Sequence, residues 1–150
     1  MRLLEFKKVL HSFIPTHIYS LLVKVYNKNF RSIIEKQIIL YRIKRNCDVT
    51  FAKKLLSQGV QFPHPLGIVI NHDAIIGNNV IIHHHVTIGQ KNGFNPIIQD
   101  NVEIYAHSII FGKIIIGRGS IIGAGSVVTH SIPKNEIWAG NPAKKIGEKK

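Results

Sequence analysis

A mainly β chain, wound as a solenoid of six-residue rungs behind a basic helical segment, is the fold class this sequence predicts. Three observations predict it. Branched aliphatics stand at every sixth position, first at Ile70, Ile76, Ile82 and Ile88, then at Ile98, Ile104, Ile110, Ile116, Ile122 and Val128. Four places further on in most hexads comes a second small or branched residue: Ala74, Val80 and Val86, then Val102, Ser108, Ile114, Ser120, Ser126 and Ile132. The residue after the aliphatic is Gly at Gly77, Gly89, Gly117 and Gly123, with polar or small residues such as Asn78, Asn79, Asp100, Asn101, Arg118 and Gly119 behind it. Such residues tolerate the tight backbone of a corner. A period of six with a subsidiary apolar site matches neither an amphipathic helix nor an alternating strand. It matches short strands and corners whose stacked coils bury one continuous aliphatic column. An ordinary strand-rich barrel does not hold such a phase, and stacking also covers strands that would aggregate if left alone.

The elements follow in chain order. Residues 1–47 are a basic helical segment. Residues 1–54 hold twelve Lys and Arg against three acids, while residues 55–150 hold eight against five, within a formal net charge of +12. Pro15 and Thr16 open a stretch with Ile18, Leu21, Leu22, Val25, Ile33, Ile34, Ile38 and Tyr41 at helical spacing, and Lys24, Lys28, Arg31, Lys36, Arg42, Lys44 and Arg45 between them. One or two amphipathic helices result. Their apolar face is expected to pack on the solenoid end or a sister subunit, and peripheral contact with an anionic membrane surface is the second reading. Nucleic acid is not expected as a partner, because no reader motif or aromatic platform accompanies the charge.

Residues 48–133 are the coil, with a loop at 90–97, and 134–150 a C-terminal tail. Two breaks interrupt the period. Pro63 to Leu66 adds two residues between Phe62 and Ile70, and Gln90 to Ile97 puts an extra loop between Ile88 and Ile98. Insertions in a solenoid project from one face, often the binding face. His64 lies in the first break between two prolines; Asn95 and Pro96 end the second. The single cysteine, Cys47, excludes an intramolecular disulfide, and no stretch reads as a signal peptide or reaches the length of a membrane span. A cytoplasmic location, extending to the inner face of the membrane, is expected.

The run Gly67-Ile68-Val69-Ile70, then Val86-Thr87-Ile88-Gly89, the hexads Ile116 to Val128, and the ending Ala139-Gly140-Asn141-Pro142-Ala143-Lys144 resemble the serine acetyltransferase branch of the bacterial hexapeptide acyltransferases. The resemblance covers about residues 48 to 147. It implies a left-handed parallel β-helix, a homotrimer with active sites between subunits, and acetyl transfer from acetyl-CoA to a hydroxyl, without a metal. His64 falls on the family's catalytic histidine, a general base that takes the proton of the acceptor hydroxyl, a role worth roughly 10²- to 10⁴-fold. The aspartate that orients this histidine maps near Asp48 with a slip of one residue.

Other positions depart from the family's pattern. Pro63 stands where an aspartate precedes the histidine, and Phe94-Asn95 where the later loop carries Arg-His. Those groups hold an amino acid, and losing buried polar partners is costly. The expected acceptor is therefore a sugar hydroxyl in surface polysaccharide biosynthesis, with serine as the alternative. His84, His85 and Asn95 are the expected acceptor-binding residues. Small residues at Gly89, Ala106, Gly123 and Ala124 are expected to let a pantetheine arm approach the backbone. Lys144 and Lys145 either meet the coenzyme's 3′-phosphate or belong to a solvated tail. Trp138 is expected to pack the end of the last coil.

His83, His84, His85, His64, His72 and His107 raise a rival reading, a zinc enzyme of the γ-class carbonic anhydrase type. That family carries a His-x4-His pair, and no two histidines here are five apart. In hexad phase His83 and His85 should lie on the opposite side of a strand from His84. A scaffold without catalysis is the remaining reading, and it has no use for His64. Docking through a terminal isoleucine is discounted because the chain ends Gly147-Glu148-Lys149-Lys150.

Overall fold

A computed structural model describes residues 28–149. The expected helical stretch from Pro15 to Val25 lies outside them. The chain divides into two compact units, 1–37 and 38–150, and the second holds the whole coil. Helix α1 (Lys28–Asn46) carries Lys44 and Arg45 in its last turn, where cations complement the helix dipole. No helix among the described residues is long and apolar enough to cross a membrane.

Beyond a short helix α2 (Ala52–Ser57), the chain winds in successive turns of three strands. The first complete turn contains β1 (Val69–Ile70), β2 (Ile75–Ile76) and β3 (Ile81–Ile82). The next contains β4 (Thr87–Gly89), β5 (Ile97–Ile98) and β6 (Glu103–Ile104). A third contains β7 (Ile109–Phe111), β8 (Ile115–Ile116) and β9 (Ile121–Ile122). The chain closes with β10 (Val127–Val128), β11 (Glu136–Gly140) and β12 (Ala143–Glu148). Like strands stack into three faces, ordered β1-β4-β7-β10, β2-β5-β8, and β3-β6-β9-β11-β12. Among the described residues the strands of the coil pair in parallel, and β11 and β12 run antiparallel.

The six-residue series is the core. Ile82, Ile88, Ile104, Ile110, Ile116 and Ile122 are all fully buried, each stabilising the coil by about 1.5–3 kcal/mol relative to exposure. The subsidiary series is buried as well, but it changes character along the chain. Val80, Val86 and Val102 are followed by Ser108, Ser120 and Ser126, equally inaccessible. Each serine hydroxyl donates to the carbonyl three residues before it: Ser108 to Tyr105 at 2.8 Å, Ser120 to Gly117 and Ser126 to Gly123, both at 2.6 Å. The hydroxyls therefore satisfy corner carbonyls that the coil buries.

Two corners use left-handed backbone. Gly67, His85, His107 and Gly125 form one such column, with φ of 63, 55, 62 and 68°. Gly59, Asn79, Asn101, Gly119 and Asn135 form the other. Glycine and asparagine enter this region at little cost; histidine does so less readily.

Two parts of the chain differ from the expectation. The stretch before the first complete turn is not strand: Ala52, Lys53, Lys54 and Leu55 are helix formers, and Ala52 and Leu55 bury one side of α2. Single parallel bridges at Asp48 to Val69 and Gln61 to Ile81 seat this helical turn on the coil. The supposed tail is a hairpin. Ile137 and Trp138 pair with Ile121 and Ile122, and Glu136 to Gly140 pair with Ala143 to Glu148. Trp138 packs against the core, and its indole N–H donates to Glu136 Oε2 at 2.7 Å.

Candidate active site

The corner that leads into the β1-β4-β7-β10 face collects four histidines. His64 is exposed in the Pro63–Leu66 break. Its carbonyl accepts from the Leu66 N–H at 2.9 Å, and the Gly67 N–H donates to the Asn46 carbonyl at 2.8 Å, which ties the break to the end of α1. Across from it stands His84, whose ring edge meets His64 with centroids 6.2 Å apart. His84 also meets His107 at 5.3 Å and His85 at 5.6 Å, both edge-on. His85 and His107 stack on each other at 4.8 Å, planes 16° apart.

His84 is the hub of this group. Its Nδ1 is buried, with no hydrogen-bond partner among the described residues. Desolvation, then the neighbouring His107, His85, His64 and His83, hold its pKa below the usual 6.5, so it favours the neutral form. A neutral imidazole with a free nitrogen beside a second histidine is equipped to accept or donate one proton without a buried charge.

The expectation that His83 and His85 both oppose His84 across a strand is corrected for His85. β3 ends at Ile82 and β4 begins at Thr87, so residues 83–86 form a corner. The left-handed turn at His85 brings it beside His84. His83 turns the other way: its Nε2 lies 3.3 Å from Glu103 Oε1, and its ring stacks on Tyr105 at 4.9 Å. Repulsion from the Glu103 carboxylate, with a hydrogen bond to it, raises the Tyr105 phenol above its usual pKa. His107, singled out in the sequence only for the metal reading, joins this group through its contacts with His84 and His85. Its signal was its place in the corner column, hidden by the loop that puts 22 residues between His85 and His107 where 18 separate Gly67 from His85.

Ala106, Gly123 and Ala124 share the histidine corner. The His107 N–H donates to His84 O at 3.1 Å, and the Gly125 N–H to Ala106 O at 2.8 Å, so these residues stack above His64 along the coil axis. Gly123 has a structural reason to lack a side chain, since a Cβ there would stand 2.8 Å from Ala139 Cβ. Gly89 does not join them; it ends β4 at the far corner of the same face. Asn95 also lies at that far corner, in the inserted loop, with its Oδ1 buried and without a hydrogen-bond partner among the described residues. One copy of the chain thus does not bring Gly89 and Asn95 to His64. Lys144 is exposed on β12. Lys145 is engaged inside the hairpin, its Nζ 2.8 Å from Glu136 Oε1 and 2.6 Å from Glu148 Oε1. These contacts raise the lysine pKa and lower that of Glu136.

Asp48 is exposed beside Val69, its backbone bonded to Ile68 and Ile70. It lines a groove of about 250 Å³ with Thr50, Asn71, His72 and Gly89. Among the described residues no hydrogen bond joins Asp48 to His64, so its expected orienting role has no contact to carry it. No group of three or more His, Cys, Asp or Glu among the described residues has the geometry to hold a metal ion.

Comparison with known proteins agrees with this coil. No family model matches the chain. A mitochondrial serine acetyltransferase of Arabidopsis thaliana is 43% identical over 98 residues, 63% of this chain and 25% of that protein. The crystal structure of serine acetyltransferase from Brucella abortus superposes with a TM-score of 0.60 at 40% identity, covering 61% of this chain and 39% of the other. The chain is serine acetyltransferase-like. Soybean serine acetyltransferase complexed with serine matches with a TM-score of 0.56 at 43% identity, over 58% of this chain and 37% of that one. The match therefore spans about a quarter to two-fifths of these relatives' length. These findings overturn the expected sugar acceptor in polysaccharide biosynthesis: the relatives and structural neighbours are serine acetyltransferases, one of them solved with serine bound. The departures at Pro63, Phe94 and Asn95 carried that expectation, and differences at three side chains do not by themselves identify another acceptor.

Proposed function

We propose that this chain is an acetyl-CoA-dependent O-acetyltransferase acting on serine, working as a homotrimer in the cytoplasm with sites between subunits. The observation that carries the reading is His64, presented in the first break of the coil, on the corner where Ala106, Gly123 and Ala124 leave small side chains beside it. The likeness of the coil to serine acetyltransferases supports the choice of acceptor.

In this reading a ring nitrogen of His64 takes the proton of the serine hydroxyl as its oxygen bonds to the thioester carbonyl carbon. The tetrahedral intermediate then collapses. The carbon–sulfur bond breaks, and the departing sulfur receives the proton from His64, so the histidine ends as it began. His84, which favours the neutral form, meets the His64 ring edge-on without a fixed positive charge of its own. The corner residues Ala106, Gly123 and Ala124 admit the pantetheine arm, and exposed Lys144 is the remaining candidate for the coenzyme's phosphate.

Purified chain is expected to release free thiol from acetyl-CoA when L-serine is added. His64→Ala should lower turnover by roughly 10²- to 10⁴-fold with oligomeric state and CoA binding intact. Absence of serine-dependent thiol release, or near-normal turnover by the variant, would refute the proposal.

A further inference from the structure

Histidine is a costly choice at two places in the corner that holds His64. The four residues of its left-handed column share nearly one backbone: Gly67 and Gly125 have φ of 63 and 68°, and His85 and His107 between them have 55 and 62°. Glycine adopts that backbone freely and a residue with a Cβ does not. The coil therefore closes this corner without a ring in its first and last rungs and accepts strain to place one in each of the two middle rungs. Strain of this kind gathers where a site makes use of it.

The use is visible in the packing. His85 and His107 stack, and each meets His84 edge-on, at 5.6 and 5.3 Å between centroids. His84 meets His64 in the same manner, at 6.2 Å with the planes 73° apart, inside the range in which edge-to-face rings attract. Among the described residues no side-chain hydrogen bond holds the His64 ring, and the ring it touches is His84. The His84 Nδ1 has no partner among them either, so what joins the two histidines is the packing of one ring against another.

We infer that His84 is a positioning residue of the acetyl transfer: braced by the stacked rings of His85 and His107, it holds the His64 imidazole in the orientation that accepts the hydroxyl proton. The inference rests on the reading of His64 as that proton acceptor. The role differs from acceptor binding, because His84 acts on the rate through His64 and leaves the affinity for both substrates alone. Because its nitrogen is not what joins it to His64, another flat ring should serve in its place.

Steady-state kinetics of the full chain with L-serine and acetyl-CoA test this. His84→Ala should lower kcat about tenfold or more, since small displacements of a reacting group are amplified in rate, with both KM values within about twofold of the parent. His84→Phe, which keeps a ring edge and has no nitrogen, should restore kcat to within about threefold. Nuclear magnetic resonance gives a readout independent of turnover: the His64 ring protons, assigned by their loss in His64→Ala, should move toward unfolded-chain shifts in His84→Ala and stay displaced in His84→Phe. Should the parent acetylate serine while His84→Ala keeps the parental kcat, raises a KM in its place, or leaves the His64 resonances unmoved, the inference is wrong and the role of His64 stands. A His84→Phe variant as slow as His84→Ala would also overturn it. Should the parent release no thiol with serine, both fall.

Discussion

Gly67→Ala and Gly119→Ala make a matched pair that separates the histidine corner from the rest of the coil. Both glycines are left-handed, with φ of 63 and 70°, so a methyl group costs each about 1–2 kcal/mol of backbone strain. Both new methyls also meet a side chain rather than backbone. At Gly119 the obstacle is Asn135 Oδ1 at 2.5 Å, on the corner without histidines. At Gly67 it is the His85 ring, with Cε1 2.6 Å and Cγ 3.2 Å away. Either side chain can swing outward, but His85 must then leave its stack on His107, losing a further 0.5–1.5 kcal/mol or so, and it no longer braces His84 against His64. Urea unfolding should place the two variants within about 1.5 kcal/mol of one another, with Gly67→Ala the less stable. Thiol-release kinetics should differ far more. Gly67→Ala should lose roughly tenfold or more in kcat/KM, because small displacements of catalytic groups are amplified in rate, whereas Gly119→Ala should stay within about twofold of the parent. Equal kcat/KM in the two variants would refute the claim that the four rings position His64.

Ser126→Ala removes the bond to the Gly123 carbonyl and the acceptor of the Gly140 N–H at 3.2 Å; a loss of about 1–3 kcal/mol in urea unfolding is expected. His84→Gln tests the pH dependence. A histidine whose folded pKa lies below its unfolded value of about 6.5 binds protons more readily when unfolded. The parent should thus lose stability as pH falls below that value, and the Gln variant should lose less over the same window; parallel pH profiles for the two would contradict the assignment.

Much of this structure was legible because the repeat is short and strict. A six-residue spacing of isoleucines leaves each one a single place to go, and every position of the series from Ile70 to Val128 is buried. The two breaks were legible for the same reason, as losses of phase. The first turn was not, since Ala52 to Leu56 fall before the phase begins and only local helix propensity marks them. The hairpin at the end was hidden by a Gly-Asn-Pro turn followed by charge, a pattern that also reads as a solvated tail. At the site, His64 stood out through its prolines, while the grouping of His84, His85 and His107 depended on corner backbone at positive φ. That geometry overrides the alternation a strand would impose. The placement of Lys113 over the Phe94 ring was not legible, because 19 residues separate them along the chain and only folding brings the charge over the ring.

The coil absorbs its inserted hairpin without disturbance: Thr87, Ile88 and Gly89 pair with Ile109, Ile110 and Phe111 as regularly as Ile109 and Ile110 pair with Val127 and Val128. Rungs bond only to the rungs above and below, so four surplus residues are shed sideways and the pile closes over them. Lengthening, shortening or rewriting that excursion should leave the melting behaviour of the pile nearly untouched. Durability is in that sense housed in the pile, and the excursion can change while the pile is conserved.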